Sequence, residues 1–96
     1  MSRVSASLLR QLRNDIPIDE VIGVHLGVPA KHRDGVFRFL CPLCNEFNTA
    51  TNPTTNLARC FRCTKNFNPI DLVMVVRRCP FLEAVRLLET IRAPPP

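Results

Sequence analysis

The spacing of apolar residues changes twice along this chain, from helical to strand-like and back to helical. An amphipathic segment covers residues 8–13, and a second helix is predicted over residues 18–26, with Val21, Ile22 and Leu26 on one face. Near the other end, Asn68 followed by Pro69 predicts the start of a helix that runs to about residue 78. A final helix is predicted over residues 81–91. The chain therefore has two helical ends.

Strand-like segments occupy the centre. Asp34 and Gly35 separate residues 30–33 from residues 36–40, and an Asp-Gly pair between such segments is typical of a tight β-hairpin. The second of these strands is predicted to extend to residue 41. Residues 46–56 are rich in Asn, Thr and Pro and favour a loop or an edge strand. A further strand is predicted over residues 57–61.

Each of two central strands leads into a Cys-x-x-Cys pair. Cys41 and Cys44 are followed, after fifteen residues, by Cys60 and Cys63. This spacing is typical of a structural zinc site, in which four thiolates complete a tetrahedral shell and leave no open position. The alternatives are two disulfides, two redox pairs or a rubredoxin-like iron site, which uses the same ligands. The fifth cysteine, Cys79, is predicted to be a small, partly buried side chain at a helix junction.

The 96 residues are enough for one small domain, predicted over residues 1–92, with a Pro-rich tail or linker start at residues 93–96. A core of this size stabilises a fold weakly, so we expect the centre to depend on its metal. No apolar run is long enough to span a bilayer, and no signal-peptide core is present at the N-terminus. We expect a soluble, cytoplasmic protein.

The net charge of +5 and the isoelectric point of about 9.4 fit a polyanionic partner or ordinary surface charge. The cations concentrate around the cysteines, where the only acids are Asp34 and Glu46. Phe39 and Phe61 lie on predicted strands near these cations. Strand alternation does not decide whether their rings pack in the core or stack on bases. The predicted nucleic-acid-binding residues are Lys31, Arg33, Arg38, Phe39, Arg59, Phe61, Arg62 and Lys65. Arg62 and Lys65 have a second interpretation, in which they offset the negative charge of the metal centre.

Five segments in this order resemble the CHC2-type zinc-binding domain at the N-terminus of bacterial and phage DNA primases of the DnaG type. They are residues 18–23 (IDEVIG), 37–46 (FRFLCPLCNE), 59–63 (RCFRC), 70–74 (IDLVM) and 81–85 (FLEAV). The resemblance implies a small α+β zinc-ribbon domain, with one Zn2+ per chain and an antiparallel sheet carrying the zinc knuckles between short helices. It also implies binding of single-stranded DNA template during primer initiation.

The chain departs from the family pattern at several positions. Cys44 replaces the usual His ligand, residues 47–51 replace a segment that carries a Lys associated with initiation, and Thr64 and Phe67 replace glycines. Four thiolates make a more negative zinc site than three thiolates and an imidazole. These differences favour a diverged primase or a stand-alone relative.

No catalytic site is predicted in this chain. In the primases it resembles, polymerisation belongs to a separate domain, so a polymerase domain in cis or in trans is the expected partner, with a replicative helicase as a further candidate. The alternative function is a zinc-ribbon interaction module that docks a polymerase or helicase through Val85, Leu87 and Leu88 or through the hairpin.

Overall fold

The computed structural model describes residues 4–92 and shows short strands between helices. The α-helices are α1 (Ala6–Asn14), α2 (Ile18–Glu20), α3 (Pro69–Arg77) and α4 (Phe81–Arg92), and a π-helical turn, Val21–His25, continues α2. The strands are β1 (Ala30–Arg33), β2 (Val36–Phe39), β3 (Thr49–Asn52), β4 (Leu57–Cys60) and β5 (Lys65–Phe67). The α+β class with antiparallel pairing is confirmed. The tail predicted at residues 93–96 lies outside the described residues.

The hairpin and the start of α3 form where the sequence predicts them. Arg33 pairs with Val36 across the turn, and Asp34 and Gly35 adopt positive φ values of 54° and 76°. At the start of α3, the Asn68 side chain accepts a hydrogen bond from the amide of Asp71, whose carboxylate accepts one from the Asn68 amide. This reciprocal cap fixes the helix start directly after the strands.

The strands form two sheets, β1–β2 and β3–β4–β5, all antiparallel. Thr49 joins the sheets, because its hydroxyl accepts a hydrogen bond from the Phe39 amide at 2.8 Å and donates one to the Phe39 carbonyl at 2.6 Å. The Arg38 guanidinium also donates to the Thr49 carbonyl, at 2.8 Å. The side chain of a buried threonine thus takes the place of ladder bonds between β2 and β3.

The core has two parts, and α3 packs against both. Leu12, Val73 and Leu88 belong to the part between α1, α3 and α4. Leu72, on the other side of α3, belongs to the part that contains the π-helical turn, both sheets and Cys41 and Cys60. Because adjacent positions on α3 face different clusters, this helix couples the helical layer to the cysteine pairs.

Burial corrects two expectations about α4. Val85 and Leu88 are only 2% and 0% exposed, because they pack on α1 and α3, so they form no docking surface. Phe81 begins the predicted apolar helix, and its aromatic ring favours the core, but it is 39% exposed at the first turn. Within residues 4–92, no helix has the length and apolar character needed to cross a membrane.

Asn56 fastens the N-terminal helices to the strands. This buried side chain accepts a hydrogen bond from the Ile18 amide at 2.8 Å and donates to the carbonyls of Arg13 and Ile16 at 2.7 and 2.8 Å. All the hydrogen-bonding capacity of its amide nitrogen is used between α1 and α2. One residue of the β3–β4 turn therefore sets where α1 ends and α2 begins.

A four-cysteine centre and an adjoining basic face

The two Cys-x-x-Cys segments form matching turns at the ends of β2 and β4. Cys41 and Cys60 are buried, whereas Cys44 and Cys63 are partly exposed. The amide of Leu43 donates to the sulfur of Cys41 at 3.4 Å, and the amide of Cys63 donates to the sulfur of Cys60 at 3.3 Å. Hydrogen bonds of this kind stabilise sulfur in its thiolate form.

Left-handed backbone follows both turns. Asn45, directly after Cys44, has a φ of 59°, and Thr64, directly after Cys63, has a φ of 50°. Asparagine tolerates this conformation, whereas a β-branched residue is strained in it. The positive φ at position 64 therefore explains why glycine suits it. The strain of Thr64 persists only because the surrounding turn and strand β5 hold the backbone in place.

The four sulfur atoms lie at the corners of a site that could hold a metal ion, all within 4.8 Å of one another. Cys41 and Cys63 approach to 3.9 Å, and Cys44 and Cys60 to 3.6 Å. A tetrahedral zinc ion with Zn–S bonds of about 2.3 Å requires sulfur atoms roughly 3.8 Å apart. The sulfur positions therefore fit tetrahedral zinc, and their nearest approaches link the two turns.

The thiols are not equivalent in proton affinity. Burial opposes ionisation of Cys60, but the Cys63 amide and the neighbouring thiols donate hydrogen bonds to its sulfur and lower its pKa to about 7. Burial and the same neighbouring sulfurs raise the pKa of Cys63 to about 12. Burial also raises the pKa of Cys41. Of Cys41, Cys60 and Cys63, Cys60 therefore ionises most readily, and a bound cation would displace protons from the thiols of Cys41 and Cys63.

Cys79 stands apart from this cluster. Its thiol donates to the Val73 carbonyl at 3.8 Å, in the helical part of the fold. Among the described residues, the four central cysteines are the one group of histidine, cysteine or acidic side chains close enough to share an ion. The partial burial predicted for Cys79 is observed.

Three of the predicted cations share one side of the β1–β2 hairpin. Lys31 lies directly opposite Arg38 in the antiparallel register, and Arg33 follows Lys31 by two residues, so their side chains project from the same face. Phe39 projects from the opposite face and is 0% exposed in the core. This placement corrects the expectation that Phe39 contacts nucleic acid, because a base cannot stack on a ring that is packed on both sides.

The three-stranded sheet continues this side of the molecule. Phe39 and Thr49 both point into the core, so by alternation Arg38 and Ala50 point outward. Ala50 lies opposite Arg59 in the register, and the three residues share this outward side. We call Lys31, Arg33, Arg38 and Arg59 the basic face.

Next to the basic face, the outward side of β3–β5 contains an open groove of about 400 Å³. Its lining includes Asn52, Pro53, Leu57, Arg59, Phe61 and Asn66. The Phe61 ring is 47% exposed, and the Arg59 guanidinium lies 5.7 Å from its centroid. The groove thus combines an accessible aromatic ring with a cation.

Arg62 and Lys65 lie elsewhere. Arg62 pairs with Glu46 at 3.7 Å, between the two cysteine turns, and both side chains are exposed. Lys65 shares a side of β5 with Phe67 and lines a separate shallow depression that includes Asp71. We therefore leave both residues out of the basic face.

Several groove residues carry no signal in the sequence that could have identified them. Asn52 lies in residues 46–56, for which the sequence favours a loop or an edge strand, and Asn66 lies in a segment with no predicted strand. They reach the groove only because β3 and β5 flank β4, a pairing of strands distant in sequence.

The strand order, the paired cysteine turns and the sulfur geometry together define a zinc ribbon. The sequence model of one family, described as the CHC2 zinc finger (DnaG zinc ribbon), matches residues 4–93. The chain belongs to the CHC2 zinc-finger family, whose name refers to DnaG-type primases. No curated protein matches the chain.

Proposed function

We propose that this chain is a zinc-dependent module that binds single-stranded DNA template for a DnaG-type primase or a stand-alone relative. One zinc ion per chain would be held by Cys41, Cys44, Cys60 and Cys63. The sulfur spacing and the family support this choice of metal. A bound ion would fix the two cysteine turns to one another. Its role would be structural, because four thiolates leave it no open position for chemistry.

The observation that carries the proposal is the basic face beside the groove that contains Phe61. Cations along an extended surface bind the phosphates of a single strand, and an exposed aromatic ring stacks on its bases at about 1–3 kcal/mol per base. Arg59 and Phe61 flank Cys60 in sequence, and Arg38 lies three residues before Cys41. The metal centre would therefore hold the two strand ends that present these side chains.

In this proposal, a polymerase domain in cis or in trans performs nucleotidyl transfer, which relies on metal ions held by clustered carboxylates. The zinc ribbon would position the template for that partner. The docking alternative keeps the hairpin but loses the predicted α4 surface, because Val85 and Leu88 are buried and Leu87 is partly buried. Apart from the hairpin, exposed apolar residues such as Val24, and Leu82 at the first turn of α4, would be available to a protein partner.

The test is the salt dependence of binding to single-stranded DNA, measured by fluorescence anisotropy with the zinc-loaded chain. Four cations on the basic face contact about four phosphates, so log affinity should fall against log salt with a slope of about −2.8. Arg33→Glu combined with Arg59→Glu should reduce the slope by about half and weaken binding about tenfold or more at 0.1 M salt.

The matched control is Arg10→Glu combined with Arg86→Glu. Both arginines are exposed, on α1 and α4, and lie outside the groove and the basic face. The control changes net charge equally, so it should retain most of the affinity and the slope. Equal losses in both double variants would show that overall charge, and not the basic face, accounts for binding. Affinity that ignores salt would favour protein docking.

A further inference from the structure

Two asparagine side chains in the groove have their oxygens occupied and their nitrogens free. Asn66 Oδ1 accepts a hydrogen bond from the Arg59 guanidinium at 3.1 Å. Asn52 Oδ1 accepts from the amides of Thr54 and Thr55, at 2.9 and 3.4 Å. In the part of the chain that the structure describes, neither Nδ2 atom has a hydrogen-bond partner. The groove therefore offers amide donors to whatever occupies it.

The orientation of both amides follows from the chemistry of their neighbours. A guanidinium group has five N–H donors and no acceptor, so only the oxygen of Asn66 can face Arg59. The backbone amides at Thr54 and Thr55 are also donors, so Asn52 must present its oxygen to them. Turning either amide by 180° would place donor against donor.

The rest of the groove is apolar enough to accommodate a base. Ala50, Pro53 and Leu57 line it between the two asparagines, and the Phe61 ring is exposed within it. A phosphate in the groove would lose hydrating water against those apolar surfaces at a high cost in free energy, whereas the desolvation of a base there costs much less. The cations of the basic face, of which only Arg59 lines the groove, are better placed for the phosphates.

We propose that this groove selects keto bases, thymine and guanine, over amino bases. The inference rests on the proposed binding of single-stranded DNA. Thymine presents O4 as an acceptor where cytosine presents the N4 amino donor, and guanine presents O6 where adenine presents N6. Asn52 and Asn66 present their Nδ2 groups as donors. The keto oxygen of thymine or guanine, placed against them, accepts their hydrogen bonds, whereas the amino group of cytosine or adenine in the same place leaves donor facing donor.

The experiment compares the affinity of the zinc-loaded chain for oligo(dT) and oligo(dC) of equal length at one salt concentration. Both are pyrimidines with identical backbones, so phosphate contacts cancel in the ratio of affinities. One hydrogen bond gained in place of an opposed donor should favour oligo(dT) by about three- to tenfold. Asn66→Asp replaces the free donor by an acceptor and retains an oxygen for Arg59. In this variant the ratio should fall to about one or below.

Asn48→Asp is the control, since Asn48 is exposed, lies outside the groove and undergoes the same change of charge. It should weaken the binding of both oligonucleotides equally and preserve the ratio of their affinities. Asn52→Asp, which keeps the oxygen for Thr54 and Thr55, provides a second variant. A ratio near one in the unchanged chain, or a ratio retained in both groove variants, would overturn the base preference while leaving the proposed function intact. Failure to bind either oligonucleotide would refute both.

Discussion

Replacing Cys60 by serine is expected to remove the metal from the chain and to unfold its strands at neutral pH. Cys60 is buried, closes β4 and receives the amide hydrogen bond of Cys63. Binding of structural zinc contributes on the order of 10–16 kcal/mol of apparent free energy in small zinc domains. The net stability of a whole domain is only about 5–15 kcal/mol, so the fold should not survive the loss. Metal analysis and circular dichroism of the purified variant measure both effects.

Cys79→Ser is the matched control for this change. Its thiol lies in the helical part of the fold and bonds to the Val73 carbonyl, away from the four clustered sulfurs. It should retain one zinc per chain and the circular dichroism of the unchanged protein. A full complement of zinc in Cys60→Ser would refute the ligand assignment.

Asn56→Ala is expected to reduce the free energy of unfolding of the zinc-loaded chain by about 3–5 kcal/mol. The change removes three hydrogen bonds and leaves the Ile18 amide and the carbonyls of Arg13 and Ile16 without their partner. Unpaired buried groups cost about 1–3 kcal/mol each. Alanine is also strained at the φ of 56° that Asn56 adopts. Urea denaturation monitored by circular dichroism gives the difference.

Asn52→Ala, in the same turn, distinguishes this packing role from a general effect of removing an asparagine. Asn52 is exposed, and within residues 4–92 its side chain bonds only to the amides of the neighbouring residues Thr54 and Thr55. Its loss should cost less than about 1 kcal/mol, in line with exposed polar substitutions. Similar destabilisation in both variants would contradict the account of Asn56 as the link between the helices and the strands.

The features that the sequence predicts correctly are governed by local chemistry. Asp34 and Gly35 determine the hairpin turn because both adopt positive φ. Asn68 and Pro69 determine the start of α3 because the cap needs only the next three residues. The spacing of the cysteines predicts that their sulfurs converge, because each turn is completed within four residues. The hairpin turn and the cap form within a few residues, whereas the meeting of the two cysteine turns also requires the strands to bring together residues 16 to 22 positions apart.

The features that the sequence leaves open depend on contacts between distant segments. Strand β5 is short and polar, and it becomes a strand only by pairing with β4. Alternation separates Phe39 from its neighbours but cannot say which side of β2 is the core, which depends on Thr49 and the second sheet. The helical spacing of apolar residues in α4 likewise cannot show whether its apolar face packs in the core or docks a partner.

The binding of single-stranded DNA before and after removal of zinc tests the central claim most directly. The zinc-loaded chain is titrated against a labelled oligonucleotide, the metal is removed with a chelator, and zinc is then restored in excess. The account predicts that binding is present, is lost together with the circular dichroism of the folded chain, and returns with both. Binding that persists unchanged in the metal-free chain, or no binding by the zinc-loaded chain, would contradict it.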